Sequence, residues 1–316
     1  MSWWMYLVEV AVILFVLLNI PIGLIWYERR LLGGFQDRLG PNRVGLMGLL
    51  QAPADGLKLF LKEDWVPPFA DRFVYVIAPG IVAFTVLLVF GTIPFTEHIR
   101  IGDLNIGLLF FLAMTSLGVY SIVLAGWGSN NKYSLIGGMR AAAQMISYEI
   151  PMGLSVVGVV LLAGSFRLSD IVEAQSGLWF ALIQPVGLII FFIATVAEAR
   201  RIPFDLPEAD SELVNGYHTE YSSMKFAMFY LGEYLDILLV GCMVTLLFLG
   251  GWRGPVLPGL VWFALKVGLV ITLFIWVRAT LPRFRFDQLM NFGWKILLPI
   301  SLLNLLVTGA IVLAVK

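Results

Sequence analysis

Long apolar stretches separated by polar segments dominate the pattern of the chain. Eight of them are long enough for a membrane-spanning helix, which takes about 20 mostly apolar residues. They run approximately over 1–27, 73–96, 105–127, 141–166, 174–197, 226–252, 254–277 and 296–315. Because an open segment satisfies its backbone within lipid only as a helix, the pattern predicts an all-α polytopic membrane protein with about eight transmembrane helices. Residues 1–316 are expected to form one membrane domain.

The composition excludes a soluble protein and most resident redox centres. Hydrophobic residues make up 59% of the chain and charged residues 13%, about half the charged share of a soluble domain. The only cysteine is Cys242, and the only histidines are His98 and His218. We therefore expect no metal site, no iron–sulfur cluster and no haem held by a pair of histidines. Electrons for any redox chemistry would have to come from a partner subunit.

The lysines and arginines are distributed unequally between the two sides of the predicted bundle. The loops after the first, third, fifth and seventh stretches, with their flanks, hold sixteen of the 21 basic residues. We call this the basic side, and the positive-inside rule predicts that it faces the cytoplasm or matrix. Both termini would then lie on the outer, periplasmic side.

Two loops on the basic side, 28–72 and 199–225, are longer than ordinary connectors and suggest that a large partner docks there. The first contains apolar residues near helical spacing, which predicts an amphipathic surface helix. These are Leu49, Leu50, Leu57, Phe60 and Leu61. Such a helix could lie along the membrane or pack on a soluble partner, and the pattern does not separate the two.

Four carboxylates fall within or at the end of apolar stretches: Glu149, Glu198, Glu233 and Asp236. An ionised group at mid-bilayer costs about 2.5–3.5 kcal/mol, so these residues predict a function such as proton exchange. Glu233 and Asp236 are three residues apart and share one helix face. The alternative is pairing with a buried cation, for which Lys266 is available, but one lysine accounts for only part of the set.

The loop after the fifth stretch adds further acids, interleaved with apolar residues and two prolines. They are Asp205, Glu208, Asp210, Glu212 and Glu220. We expect an ordered acidic funnel leading toward Glu149 and Glu233, although a solvated acidic loop is the usual alternative. At the end of the first stretch, Glu28 and Arg29 form either a helix-end anchor or part of the lip of an opening for a lipid-soluble molecule.

Four segments carry a resemblance to a known family. They are YERRLLGGFQDRLGPNRVGLMGLLQAPADGLKLFLKED (27–64), AAAQMISYEIP (141–151), AEARRIPFDLPEADSELVNGYHTEYSSMKFAMFYLGEYLD (197–236) and RATLPRFRFDQLMNFGWK (278–295). In these segments the chain resembles the H-type membrane subunits of proton-pumping NADH:quinone oxidoreductase, the family of NADH dehydrogenase subunit 1 in respiratory complex I. The similarity spans essentially the whole sequence.

The resemblance implies a membrane subunit that forms a quinone tunnel and couples quinone reduction to proton translocation. The tunnel residues would be Glu28, Arg29, Ala52, Asp55 and Phe60. The proton relay would comprise Glu149, Glu198, Glu208, Asp210, Glu212, Glu220 and Glu233, with Arg200 and Asp205 shaping the coupling loop. Quinone would be the substrate, and the chain itself would bind no cofactor.

The implied partners are a soluble arm that carries flavin and iron–sulfur clusters, and antiporter-like membrane subunits. The implied location is an energy-transducing membrane, most simply the bacterial plasma membrane. A subunit of a related membrane-bound hydrogenase and a proton-coupled secondary transporter are the alternatives. A passive anchor for a peripheral enzyme would not explain the intramembrane acids.

Overall fold

The computed structural model describes residues 3–207 and 210–315, in which all regular structure is helical. The α-helices are α1 (Trp3–Phe35), α2 (Gln51–Leu61), α3 (Arg72–Phe90), α4 (Gly107–Gly128), α5 (Lys132–Ala163), α6 (Leu168–Ala174), α7 (Phe180–Ile183), α8 (Pro185–Glu198), α9 (Asp210–Leu213), α10 (Ser223–Phe248), α11 (Gly259–Thr280), α12 (Phe286–Phe292) and α13 (Leu298–Val315). A π-helical turn, Gly293–Leu297, joins α12 to α13.

Seven helical spans in the described residues are long and apolar enough to cross a membrane. They lie in α1, α3, α4, α5, α10 and α11, and in α12 with α13 as one span. The fifth predicted stretch contains instead the short apolar helix α8. The all-α polytopic fold is therefore confirmed, and the predicted number of eight crossings is approximate.

The fifth predicted stretch, 174–197, is not one continuous helix. Helix α6 ends at Ala174, α7 forms a single turn, and α8 begins at Pro185. A proline restricts the residue before it to non-helical conformations, and Gln184 has φ −125° and ψ 60°. Pro185 itself suits a first helical turn, where its missing N–H needs no partner.

Two helices run past the apolar stretches that predicted them. Helix α1 continues to Phe35, and α5 begins at Lys132 rather than near residue 141. Glu28 and Arg29 therefore lie inside α1 and not at its end, which argues against the helix-end anchor, whereas their place at the lip of an opening stays a prediction. Glu, Arg and Leu are good helix formers, so a helix can continue beyond its membrane-spanning part.

Helix α10 lies at the centre of the bundle and is buried along most of its length. It packs against α1, α2, α3, α8 and α11, while α4 packs against both α3 and α5 beside it. Helix α13 packs mainly on α5 and leaves apolar side chains exposed on its other face. Side chains on α10 can therefore contact most of the other helices.

The predicted amphipathic helix of the first loop is confirmed as α2. It packs against α1 and α10 and buries Ala52. Leu57, Phe60 and Leu61 remain exposed on its other face. That apolar face is available to lipid or to a partner, as the sequence pattern predicts.

Candidate functional site

A buried ion network begins at Glu28 on α1, whose side chain is almost inaccessible. Arg278, near the end of α11, donates a hydrogen bond from Nη1 to Glu28 Oε1. Nη1 of Arg201, in the segment after α8, lies 3.8 Å from the same oxygen. Two guanidinium groups thus surround one carboxylate and connect α1, α11 and the loop after α8.

Arg201 extends the network to α10. Its Nε lies 2.5 Å from Glu233 Oε1, and both side chains are less than a tenth exposed. The guanidinium also lies 4.9 Å from the ring centre of Tyr234, a cation–π distance. The opposite charges offset the cost of burying each group, which explains how α10 carries Glu233 inside the bundle.

The neighbouring Arg200 contacts a second acid of α10. Its Nη2 lies 3.5 Å from Asp236 Oδ2, and its Nη1 donates a hydrogen bond of 2.7 Å to the hydroxyl of Tyr217. Arg200 has φ +56°, a left-handed conformation that costs about 1–2 kcal/mol for a residue other than glycine. Consecutive arginines therefore bind Asp236 and Glu233, the two acids that share one helix face.

A small internal cavity adjoins Asp236. It has a volume of about 30 Å³ and is lined by Glu198 and Arg200 as well as by Thr85 and Thr115. Because one water needs about 10–15 Å³ of such volume, the cavity has room for about two. Glu149 and Asp236 both lie within electrostatic range of Glu198. The arrangement brings three carboxylates from α5, α8 and α10 near a small cavity whose mostly apolar wall includes the polar side chains of Glu198, Arg200 and Asp236.

A larger cavity of about 390 Å³ lies between α1, α2 and α10. We call it the lip cavity; it is lined by Leu18, Pro21, Ile22, Ile25, Arg29, Ala52, Asp55, Gly56, Lys58, Leu59, Phe226, Ala227, Tyr230 and Leu231. Most of this lining is apolar, and its charged groups come from α1 and α2. A cavity of this size and character suits an apolar molecule with a polar end.

The charged part of the lip cavity is a hydrogen-bonded group on α1 and α2. Arg29 Nη1 donates to Asp55 Oδ2 at 2.6 Å, and Gln51 Nε2 donates to Asp55 Oδ1 at 3.0 Å. Partial burial opposes ionisation, but the hydrogen bonds from Arg29 and Gln51 hold the pKa of Asp55 below its usual value. Asp55 is therefore a carboxylate at neutral pH.

Comparison with known proteins places the chain in a family. The NADH dehydrogenase family matches residues 8–309. The chain belongs to this family. It is 57% identical over 309 residues to the NADH-quinone oxidoreductase H subunit of Methylococcus capsulatus, covering 96% of this chain and 98% of the relative. It is 52% identical over 316 residues to the H 2 subunit of the same enzyme in Geobacter sulfurreducens, covering 97% and 96%.

The similarity to these subunits and the seven long apolar spans support a multi-pass membrane subunit of NADH-quinone oxidoreductase. The H 2 subunit of Cereibacter sphaeroides is also 57% identical, over 285 residues and 90% of each chain. Within residues 3–207 and 210–315, no three His, Cys, Asp or Glu side chains are grouped to hold a metal ion.

The residues predicted for a tunnel do not all lie together in this NADH dehydrogenase family member. Arg29, Ala52 and Asp55 line the lip cavity. Phe60 lies on the exposed face of α2, with 65% of its surface accessible. Glu28 belongs to the buried ion network instead, because the next position along a helix points about 100° away.

The residues predicted for a proton relay fall into two groups. Glu233 is buried inside the bundle, and Glu149 and Glu198 are partly buried, with Asp236 within electrostatic range of Glu198. Glu212 is half-exposed and pairs with Arg140 at 2.6 Å, and Glu220 accepts a hydrogen bond of 2.6 Å from Asn131. Glu208 lies outside the described residues, as does the side chain of Asp210.

The predicted coupling residues both lie at the basic end of the bundle. Arg200 joins Tyr217 to Asp236, as described above. Asp205 accepts a hydrogen bond of 2.7 Å from Arg283, in the segment after α11. The loop after α8 is therefore fixed to α10 by one residue and to the segment before α12 by the other.

Lys266 does not pair with a carboxylate in the part of the chain that the structure describes. Its ammonium group donates to the backbone oxygens of Leu249, Gly251 and Arg253, at 2.6–2.9 Å. These carbonyls follow the end of α10, where a cation is favoured by the helix dipole. Lys266 stabilises that helix end, and the possibility that it pairs with a buried acid is not realised.

Sequence reasoning named Arg200 for the coupling loop but did not predict which cations pair with the buried acids. Arg200, Arg201 and Arg278 all counted as loop or flank residues in the topology argument, yet the first two are almost completely buried. The signal was present in the two adjacent arginines after an apolar stretch that ends in Glu198. Their partners on α1 and α10 could not be inferred, because those contacts join distant parts of the chain.

Gln144 was also missed. Its completely buried amide donates to the backbone oxygens of Ala197 and Phe204, at 2.7 and 2.8 Å. It thereby holds the end of α8 and the loop that carries Arg200 and Arg201 against α5. A lone glutamine in an alanine-rich helix gave only a weak signal.

Proposed function

We propose that the subunit admits quinone through the lip cavity and couples its reduction to proton translocation through the buried acids of α10. One observation carries this proposal: α10 contributes to both places. Its first turns supply Phe226, Ala227, Tyr230 and Leu231 to the cavity wall. Glu233 and Asp236 follow within about two turns of the same helix.

The lip cavity suits quinone because it combines an apolar wall with a polar group at one end. The isoprenoid tail would contact the side chains of α1 and α10, since apolar contact there removes hydrocarbon from water. Arg29 can donate to a quinone carbonyl oxygen, and Asp55 holds the guanidinium in place. Arg29 is half-exposed, so the reorientation needed to meet a head group costs little.

Two electrons delivered to quinone from the soluble arm make it negatively charged until two protons arrive and give neutral quinol, so reduction transiently changes the charge near Arg29 and the adjacent Glu28. Arg201 lies between Glu28 and Glu233 and interacts with both. A change in the charge near Glu28 would alter how strongly Arg201 stabilises the ionised form of Glu233. The protonation of an acid on α10 would thereby respond to chemistry beside α1.

Proton movement onward would use the small cavity between Asp236 and Glu198. About two waters in that cavity could bridge the carboxylates, and Glu149 lies within electrostatic range of Glu198. Acids with intervening water are the usual elements of proton paths through membrane proteins. Glu212 and Glu220 would contribute only at the entrance, since both lie in the loop on the basic side.

The quinone part of the proposal is tested by filling the lip cavity in the assembled complex. Ala227→Phe adds a ring to its wall, and we expect the KM for quinone to rise severalfold. The rate with an artificial acceptor that takes electrons from the soluble arm should not change. Unchanged quinone kinetics would contradict the proposed path.

Ala264→Phe is the matched control for this experiment. Ala264 lines a second apolar cavity, of about 530 Å³, between α1, α10 and α11. The same enlargement there should leave the KM for quinone unchanged. Equal effects of both substitutions would show that the kinetics report general distortion of the bundle rather than occupation of the lip cavity.

A further inference from the structure

A groove beside the π-helical turn lies apart from the ion network and the three cavities described above. It has a volume of about 450 Å³ and is lined by Phe284, Gln288, Asn291, Phe292, Lys295 and Ile296. Three of these residues are polar and three are apolar. The groove therefore offers hydrogen-bond donors beside a hydrocarbon surface.

Two exposed tryptophans indicate the level of this groove within the membrane. Trp276 near the end of α11 and Trp294 in the π-helical turn are each about half-exposed. Tryptophans of membrane proteins concentrate at the level of the lipid head groups. Lys295 directly follows Trp294, so its ammonium group lies at that level on the basic side.

Lys295 is the cation of this segment that lacks an internal counter-charge. Arg283 pairs with Asp205, and Arg285 pairs with Asp287. In the described part of the chain, Lys295 has no carboxylate within ion-pair distance. An anion that binds in the groove would therefore meet an unpaired positive charge at Lys295.

The amide of Gln288 is oriented as a donor. Its Oε1 accepts a hydrogen bond of 3.2 Å from the backbone N–H of Arg285, the capping contact at the start of α12. The NH₂ group of the same amide is then free to donate to a ligand. Asn291 lies between Gln288 and Lys295 in the groove lining and can donate in the same way.

An exposed apolar stripe on α13 continues from the groove across the membrane. Its members recur every three or four residues and are Ile296, Ile300, Leu303, Val307 and Ile311, all between 42% and 65% exposed. Residues at this spacing lie on one helix face. The stripe gives a hydrocarbon chain a continuous contact surface that begins directly below Lys295.

We propose that the groove binds an anionic phospholipid. The phosphate contacts Lys295 with the amides of Gln288 and Asn291, and one acyl chain follows the stripe on α13. A cation and two donors at head-group depth above an apolar stripe match this molecule. A transmembrane helix of a partner would need a carboxylate at the same depth, and it is the other possible outcome of the test.

The test uses the assembled complex in vesicles of phosphatidylcholine and phosphatidylglycerol in known proportion. A photo-crosslinking amino acid replaces Ile296, and in a second variant it replaces Leu269, which faces outward from α11. Mass spectrometry identifies the adducts after illumination. At position 296 we expect phosphatidylglycerol enriched about fivefold over its share in the vesicle, which corresponds to about 1 kcal/mol for one lysine. At position 269 we expect the vesicle proportion.

Two further variants test whether the enrichment of phosphatidylglycerol at position 296 depends on the groove. Lys295→Gln should abolish it while lipid adducts still form, and Lys132→Gln, at another exposed lysine on the basic side, should preserve it. Equal lipid proportions at positions 296 and 269 would overturn the proposal. A crosslink to another protein of the complex in place of lipid would also overturn it.

Discussion

Two arginine–carboxylate pairs with nearly the same nitrogen–oxygen distance differ in their surroundings. The distance between Arg29 and Asp55 is 2.6 Å, and that between Arg201 and Glu233 is 2.5 Å. The side chains of the first pair are 45% and 29% exposed, whereas those of the second are 8% and 6% exposed. The first pair borders the lip cavity, and the second lies inside the bundle.

The difference in exposure implies a difference in what each pair can do. Solvent screens a half-exposed pair, which contributes at most about 1 kcal/mol and can exchange partners readily. Removing one partner of a buried pair leaves an uncompensated charge and costs about 3–5 kcal/mol. A ligand can therefore displace Asp55 from Arg29 at little cost, whereas separating Arg201 from Glu233 costs several times more.

The largest predicted effect comes from breaking the buried pair. Arg201→Gln should lower the stability of the subunit by about 3–5 kcal/mol, because Glu28 and Glu233 both lose a cation. Thermal unfolding of the purified complex, or the amount of subunit assembled in membranes, measures this loss. Arg29→Gln is the control, with an expected loss below about 1 kcal/mol. Equal losses would contradict the distinction between the two pairs.

Gln144→Leu tests how firmly the loop with Arg200 and Arg201 is held. Two buried carbonyl oxygens would lose their donor, at a cost of about 1–3 kcal/mol. Increased proteolysis of the 199–222 loop in the complex would report the loss. Ile146→Leu, at an exposed position of the same helix, should change stability by less than about 0.5 kcal/mol. An intact loop in the Gln144 variant would show that other contacts suffice.

His218 gives a smaller, pH-dependent effect beside Arg200. Burial, with a contribution from the Arg200 charge, lowers the pKa of His218 from 6.5 to about 3. The unfolded state therefore binds the extra proton between these pH values, so stability falls as the pH drops below about 6.5. At pH 5.5 the loss is about 1.4 kcal/mol.

His218→Gln should remove this part of the acid sensitivity. Comparison of thermal unfolding at pH 7.5 and pH 5.5 in the variant and the parent complex measures it. The variant should lose less stability than the parent over this interval. An identical loss in both would mean that the imidazole becomes protonated in the folded protein, and its burial would then have no consequence for stability.

The smallest effect on stability is expected at the exposed pair, where the effect on activity should be specific. Arg29→Ala should destabilise the subunit by less than about 1 kcal/mol. The KM for quinone should nevertheless rise, because the donor at the polar end of the lip cavity is lost. Steady-state rates with quinone and with an artificial acceptor separate these outcomes, and a drop in both rates would indicate failed assembly instead.

The sequence was sufficient to predict the fold class, α2 and the placement of acids within apolar stretches. These features follow from the local composition and from the helical spacing of apolar residues, because a helix in contact with lipid needs apolar side chains on the face that meets it. The break before Pro185 could have been anticipated from the proline, but the apolar stretch around it masked the signal. The extension of α1 past residue 27 was missed because polar helix-forming residues look the same in a helix and in a solvated loop.

The partners of the buried acids could not be predicted in this way. Glu28 and Arg278 are 250 residues apart, and only the packing of α1 against α11 brings them together. Lys266 was available as a partner for a buried acid, but its ammonium group binds backbone carbonyls that follow the end of α10 instead. Which charged residues form ion pairs inside a helix bundle depends on how the helices pack, and the spacing of apolar residues alone does not specify that packing.

The ratio of protons translocated to NADH oxidised tests the central claim most directly. Glu233→Gln keeps the size of the side chain and removes its titrating group. In complex reconstituted into vesicles, we predict a lower ratio than in the parent and in Glu173→Gln, an exposed control on the opposite side. The rate with an artificial acceptor should be normal in all three. A ratio equal to that of the parent, with normal quinone reduction, would contradict a role for Glu233 in coupling.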